Sequence, residues 1–173
     1  MSPNFVTAIR AALVLILAAL LAVSAGERRV AWAAVTVATA VSILDGVDGW
    51  IARRTGQATA FGARFDMETD ALFILVLSLL TWQWGKAGAW VLLIGVMRYL
   101  FVAAGWMLKW LNGPLPPTVR GKTIAVWQMV TLIVSIGPVI PVWLSTAGCA
   151  VALSLLAWSF AIDVGRLWVA RAS

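Results

Sequence analysis

The sequence predicts an all-α, polytopic membrane protein, a bundle of six transmembrane helices. Three observations carry that expectation. Of 173 residues, 62% are hydrophobic and only 12% are charged, more apolar surface than a soluble domain of this length can keep from water. The apolar runs are continuous, whereas a membrane β-barrel would alternate in segments of about ten residues. Short polar breaks divide the chain into six stretches long enough for helices at membrane depth. No linker, low-complexity run or clear internal repeat divides the chain, so residues 1–173 read as a single domain.

The first helix is expected from about Phe5 to Ala25, with Asn4 as its N-cap. A second reading of this segment is a signal peptide, with Arg10, an apolar core and V-S-A before Gly26. Gly26 to Arg29 makes an outer turn. The second helix runs from about Val30 to Arg53, and T-G-Q-A-T-A-F-G turns the chain. The third runs from about Gly62 to Trp84 and ends at the turn W-Q-W-G-K-A-G. The fourth spans about Ala89 to Trp110. The loop N-G-P-L-P-P-T-V-R-G-K comes next, and its prolines stop any helix. The fifth runs from about Lys122 to Ile140, and the sixth from about Trp143 to Ala170.

In this arrangement Arg10, Arg53, Arg54, Arg64, Lys109, Arg120, Lys122, Arg166 and Arg171 fall on one side and Arg28, Arg29 and Lys86 on the other. Basic residues concentrate on the cytoplasmic side, so both termini are expected there, in an inner (cytoplasmic) membrane. The formal net charge of +6 is thereby topological, and nucleic acid is not expected as a partner because the bases form no single patch. Of the eleven tryptophans, Trp32, Trp82, Trp84, Trp90 and Trp143 are expected as outer interface anchors, and Trp50, Trp110 and Trp168 as inner ones. Cys149 is the only cysteine, so no intrachain disulfide forms.

The chemistry gathers between Leu44 and Asp70. Asp45 and Asp48 are spaced i, i+3, and Asp66 and Asp70 are spaced i, i+4, so each pair shares a helix face. At 1.5 Å per residue Asp45 lies ~22 Å from Val30 and Asp70 ~18 Å from Trp82, similar depths in antiparallel helices. The spacing therefore predicts a four-carboxylate cluster near the cytoplasmic face. Carboxylates at membrane depth usually face a bundle interior and mark a functional site. Four of them in a low-dielectric site need cations. The chain has no histidine, which excludes His-bound zinc and a His general base. A hard, oxygen-bound ion remains, Mg²⁺ or Mn²⁺, with two ions expected as a clamp on a diphosphate. Glycine for close approach, and Arg53 for paired hydrogen bonds to phosphate, complete a pattern suited to metal-assisted phosphoryl transfer. The competing reading is an ion or solute transporter with an intramembrane acidic site.

The pattern D-x-x-D-G-x-x-A-R, eight residues, then G-x-x-x-D-x-x-x-D resembles the signature of the CDP-alcohol phosphotransferases, also called CDP-alcohol phosphatidyltransferases. Asp45, Asp48, Gly49, Ala52, Arg53, Gly62, Asp66 and Asp70 fill every fixed position. Asn4, Thr7 and Arg10 are similar to the family's first-helix entry. The resemblance implies a six-helix bundle, usually dimeric, that acts on a CDP-linked lipid such as CDP-diacylglycerol. An acceptor hydroxyl attacks the phosphorus next to the lipid, and CMP leaves. On that footing Asp45, Asp48, Asp66 and Asp70 are expected to hold metal, with Asp70 also catalytic as the group that takes the acceptor's proton. Asp48, Gly49, Ala52, Arg53 and Gly62 are expected to bind the CDP moiety. Arg98, Arg120 and Lys122 are candidates for acceptor binding, which would suit a phosphorylated acceptor such as glycerol 3-phosphate. The run R-G-K-T departs from the spacing of glycerol-phosphate-using members, and Tyr99 follows Arg98 where they commonly have glutamate. Other readings of these charges are an ion pair from Arg98 to an acid elsewhere, loop anchoring by Arg120 and Lys122, and local pairs of Glu68 with Arg64 and of Asp163 with Arg166.

Overall fold

The computed structural model describes residues 3–22, 27–55, 60–112 and 118–172, and among these the side chains of 3–6, 48–55, 60, 61, 63, 109, 112 and 170–172 are outside the described set. Among the described residues the chain forms six α-helices and no strand. α1 spans Pro3–Ala19 and tightens into a 3-10 turn at Leu20–Ala22. Asn4 therefore lies inside the first turn of α1, not before it as an N-cap. α2 spans Arg28–Thr55 and α3 Ala60–Gln83. A 3-10 turn at Ala89–Val91 leads into α4, Leu92–Met107, and another comes after it at Lys109–Asn112. α5 spans Val119–Ser135 and α6 Val142–Ala172.

The two helices bearing aspartates meet chiefly through α1, which packs against both α2 and α3. α3 also packs on α4 and α5, and α5 pairs with α6. α3 is thus the hub of the bundle. Its stripe Phe73, Val76, Leu77 and Leu80 is buried, repeating at helical spacing toward one core with Val14 and Leu17 of α1. Ala34 and Ala38 of α2 enter the same core fully buried, and their small side chains let helix backbones come close. Gly95 does the same between α3 and α4. A methyl group on it would come within 2.7 Å of the Leu75 Cα.

Polar side chains fasten the ends opposite the aspartates. Gly85 takes φ 66° in the α3–α4 turn, a left-handed conformation that glycine adopts without penalty. Lys86, beside it, donates from Nζ to the carbonyls of Gly137 at 2.9 Å and Ile140 at 2.8 Å. α5 stops at Ser135, short of the expected Ile140, and the lysine satisfies carbonyls just beyond its end. Gln83 Nε2 donates to the Leu21 carbonyl at 2.7 Å and ties α3 to the end of α1.

The outward surface is apolar: Leu15, Ile16, Ile43, Leu100, Val126 and Val151 are all exposed. Three segments, Arg28–Val47, Ala89–Met107 and Val142–Val169, are long and apolar enough to cross a membrane. The chain reads as an integral membrane protein. α3 fails that criterion through its charged first half, and α5 through its 17 residues. Trp32, Trp82 and Trp143 are exposed, as anchors would be, but Trp84 and Trp90 pack against the core instead. Trp168 meets Trp110 edge-on, their ring centroids 5.3 Å apart. The side chain of Trp50 lies outside the described residues.

Candidate active site

α2 and α3 bring Asp45, Asp66 and Asp70 together. Each offers one carboxylate oxygen, and those oxygens lie within 4.8 Å of one another. The depth register read from helix rise therefore holds. The i, i+4 spacing puts Asp66 and Asp70 on one face of α3, and α1 sets the distance between that face and Asp45.

The cation among these carboxylates comes from the chain. Arg10 of α1 is fully buried, while the three aspartate side chains are 32–41% exposed. Its Nη2 lies 2.9 Å from Asp45 Oδ1 and donates to Asp70 Oδ1, and its Nη1 donates to Asp66 Oδ1. The guanidinium thus lies beneath the cluster, and the carboxylates open on the other side. Thr7, one turn earlier on the same face of α1, is buried as well. Counting Arg10 as a topological base missed this role. The signal was present in the Thr7 and Arg10 spacing, which aims both side chains the same way.

The donor set suits a hard divalent ion. Three carboxylate oxygens converge with partial exposure, and no softer ligand stands among them. The expected fourth ligand, Asp48, and the expected CDP-binding residues Gly49, Ala52 and Arg53 lie in α2, but their side chains lie outside the described residues. Gly62 is half-buried and is the third residue of α3, which begins at Ala60, two residues earlier than expected. It remains in the first turn of the helix.

A partly open cavity of about 350 Å³ adjoins the cluster, lined by α3, α4, α5 and α6. Asp70 lines it together with Arg98, Gln128, Ser159 and Asp163. Asp70 is therefore common to the carboxylate cluster and the cavity. The three basic candidates do not gather there. Arg98 Nη2 donates to Glu68 Oε1 at 2.5 Å. Arg120 Nη2 donates to Asp163 Oδ1 at 2.5 Å, and its Nε to Ser159 Oγ at 3.2 Å. Lys122 lines a separate groove with Val126 and Val130.

Two expected local ion pairs are thereby corrected. Glu68 pairs with Arg98, not Arg64, because the α3–α4 contact sets Arg98 opposite it. Asp163 pairs with Arg120, not Arg166, because α5 and α6 pack along each other. In both cases a tertiary partner displaces the local one. Gln128 was not foreseen as a site residue, since one amide in an apolar helix carries no motif.

The family model described as CDP-alcohol phosphatidyltransferase matches residues 1–171. Neither the curated proteins nor the solved structures compared with the chain gave a match.

Proposed function

The chain belongs to the CDP-alcohol phosphatidyltransferase family, and from that premise we propose that it moves a phosphatidyl group from CDP-diacylglycerol, or a related CDP-alcohol, to the hydroxyl of a small polar acceptor, releasing CMP. The observation that carries this reading is the convergence of Asp45, Asp66 and Asp70 beside a cavity that shares Asp70.

The roles derive from position. Asp45, Asp48, Asp66 and Asp70 would hold Mg²⁺ or Mn²⁺, two ions in the full set, and the bound ions would offset charge on the diphosphate. Arg10 fixes the orientation of three of these carboxylates and offsets part of their mutual repulsion. Asp70 takes the proton of an acceptor hydroxyl held in the adjoining cavity. The acceptor oxygen then bonds to the phosphorus next to the lipid. The bond from that phosphorus to the bridging oxygen breaks, and its electron pair leaves with CMP. Arg53 would hold the diphosphate, with Gly49, Ala52 and Gly62 leaving room for the nucleotide.

We place the site at the cytoplasmic face of an inner membrane, with six spanning helices, both termini cytoplasmic and two chains paired. The excess of basic residues on that side supports the orientation. The arrangement suits the substrates: acyl chains stay in lipid while nucleotide and acceptor arrive from water. The test is CMP release by the purified protein in detergent with CDP-diacylglycerol, Mg²⁺ or Mn²⁺, and one acceptor at a time. CMP formed with one acceptor and lost in Asp70→Asn is the expected result. Solute movement without consumption of any CDP-lipid would instead assign the cluster to transport.

A further inference from the structure

The cavity beside Asp70 contains two buried donors that take no part in the proton transfer or in phosphate binding. Gln128 is 3% exposed and lines the cavity. Among the described residues its Nε2 has no hydrogen-bond partner, and neither has the buried Nε of Arg98 on the same wall. Buried donors in folded proteins nearly always have a partner. Gln128 and Arg98 both line one hollow, and two unmet donors beside it point to oxygen atoms of a ligand.

The charges of the same wall restrict that ligand. Asp70, Arg98 and Asp163 line the cavity, and each already faces an opposite charge: Asp70 meets Arg10, Arg98 meets Glu68, and Asp163 meets Arg120. No surplus cation is left on the wall among the described residues. Apart from ions at the aspartate cluster, a phosphate monoester would meet two carboxylates and no unpaired base of the chain, at a heavy desolvation cost. An alcohol group meets no such barrier. It both donates and accepts, as an amide does, so Gln128 can bond it without charge. The size agrees: about 350 Å³ is at the low end of ligand cavities, roughly 300–1,000 Å³, which suits a head-group alcohol and not a diacyl lipid.

We infer that Gln128 is a specificity-determining residue, and that the acceptor it reads is an unphosphorylated small alcohol. This rests on the transferase reading and names its acceptor class. The attacking hydroxyl faces Asp70, and a second polar group of the acceptor takes the Gln128 amide, with Arg98 Nε beside it.

The test measures CMP release from CDP-diacylglycerol with glycerol, inositol, serine and ethanolamine, and with glycerol 3-phosphate and inositol 1-phosphate. Wild type is compared with Gln128→Met and Gln128→Leu, which keep bulk but remove the amide. CMP is expected with an unphosphorylated member. In the variants the KM for that acceptor rises roughly tenfold or more, the loss of one good hydrogen bond. The KM for CDP-diacylglycerol stays unchanged. Melting temperature should hold or rise, because an apolar side chain replaces a buried donor without a partner. Activity confined to the phosphorylated acceptors overturns the acceptor class. An unchanged acceptor KM in the variants overturns the role of Gln128. So does an equal rise in both KM values with a lower melting temperature, since that marks a structural part. Absence of CMP with every acceptor overturns the transferase reading, and the acceptor class falls with it.

Discussion

Arg10 shows what a single side chain can settle in this bundle. Burying an arginine is unfavourable unless its donors are met, and here both terminal nitrogens are met by carboxylates from two other helices. Removing the guanidinium would leave three carboxylates facing one another without their counter-charge. Arg10→Met should therefore lower stability, by less than the roughly 3–5 kcal/mol lost when one partner of a fully buried pair is removed, because the aspartates are 32–41% exposed. Arg10→Lys should fall between, because an ammonium keeps the charge but not the paired geometry. Thermal melts of the three proteins in one detergent check the order, and equal melting temperatures would contradict it. Asp70→Asn should behave in the opposite way. It keeps shape and removes the proposed proton acceptor, so CMP release should drop by roughly 10²–10⁴-fold, the range of general-base catalysis, while the protein stays folded. At this scale the convergence of Asp45, Asp66 and Asp70 was legible in their spacing. The spacing did not disclose their cation, because a base near a helix end looks the same whether it anchors topology or enters a site. The partners of Glu68 and Asp163 were hidden for a related reason. An i, i+4 neighbour is visible in sequence, while an arginine on another helix becomes a partner only once the helices pack.

Between elements, close approach decides whether the cavity exists. Gly95 lets α4 lie against α3 at Leu75, where a methyl group would meet backbone that cannot yield. Gly95→Ala should force the two helices apart and cost about 1–3 kcal/mol, as overpacking generally does. It should also weaken the Arg98–Glu68 contact across the same pair of helices. Loss of melting temperature together with a raised acceptor KM would confirm that coupling, and a wild-type profile would refute it. Lys86 works at the other end. Its Nζ bridges two carbonyls of the α5–α6 turn, so Lys86→Met should cost about 1–3 kcal/mol for acceptors left bare and leave CMP release per folded molecule unchanged. Six helices and the order of their turns were legible from hydropathy and from the proline and glycine breaks. The ends were less so. α5 gives way at Ser135, and the turn beyond it is held by a lysine 51 residues away in sequence. No local pattern encodes such a contact.

The whole molecule combines a lipid-facing exterior with a charged region off-centre toward one end. That asymmetry gives the proposed orientation its consequence, since the proposed CDP-lipid chemistry would require the aspartates to meet the compartment that holds nucleotide and acceptor. Cys149 is fully buried and is the sole cysteine, so introduced cysteines can report topology with little background. Glu27 stands just before α2, at the end expected outside. Val119, 82% exposed, opens α5 at the end expected inside, one residue from the Arg120 that pairs with Asp163. A membrane-impermeant maleimide should label Glu27→Cys in intact cells and Val119→Cys only after the membrane is opened. The reverse pattern would put the aspartates on the outer face, away from cytosolic nucleotide, and would contradict the orientation drawn from the basic residues. Orientation and chemistry are thus joined: the bases that fix which end faces inward include Arg10 and Arg120, both of which hold site-side carboxylates, so a topology determined by these charges also determines which compartment the carboxylates can serve.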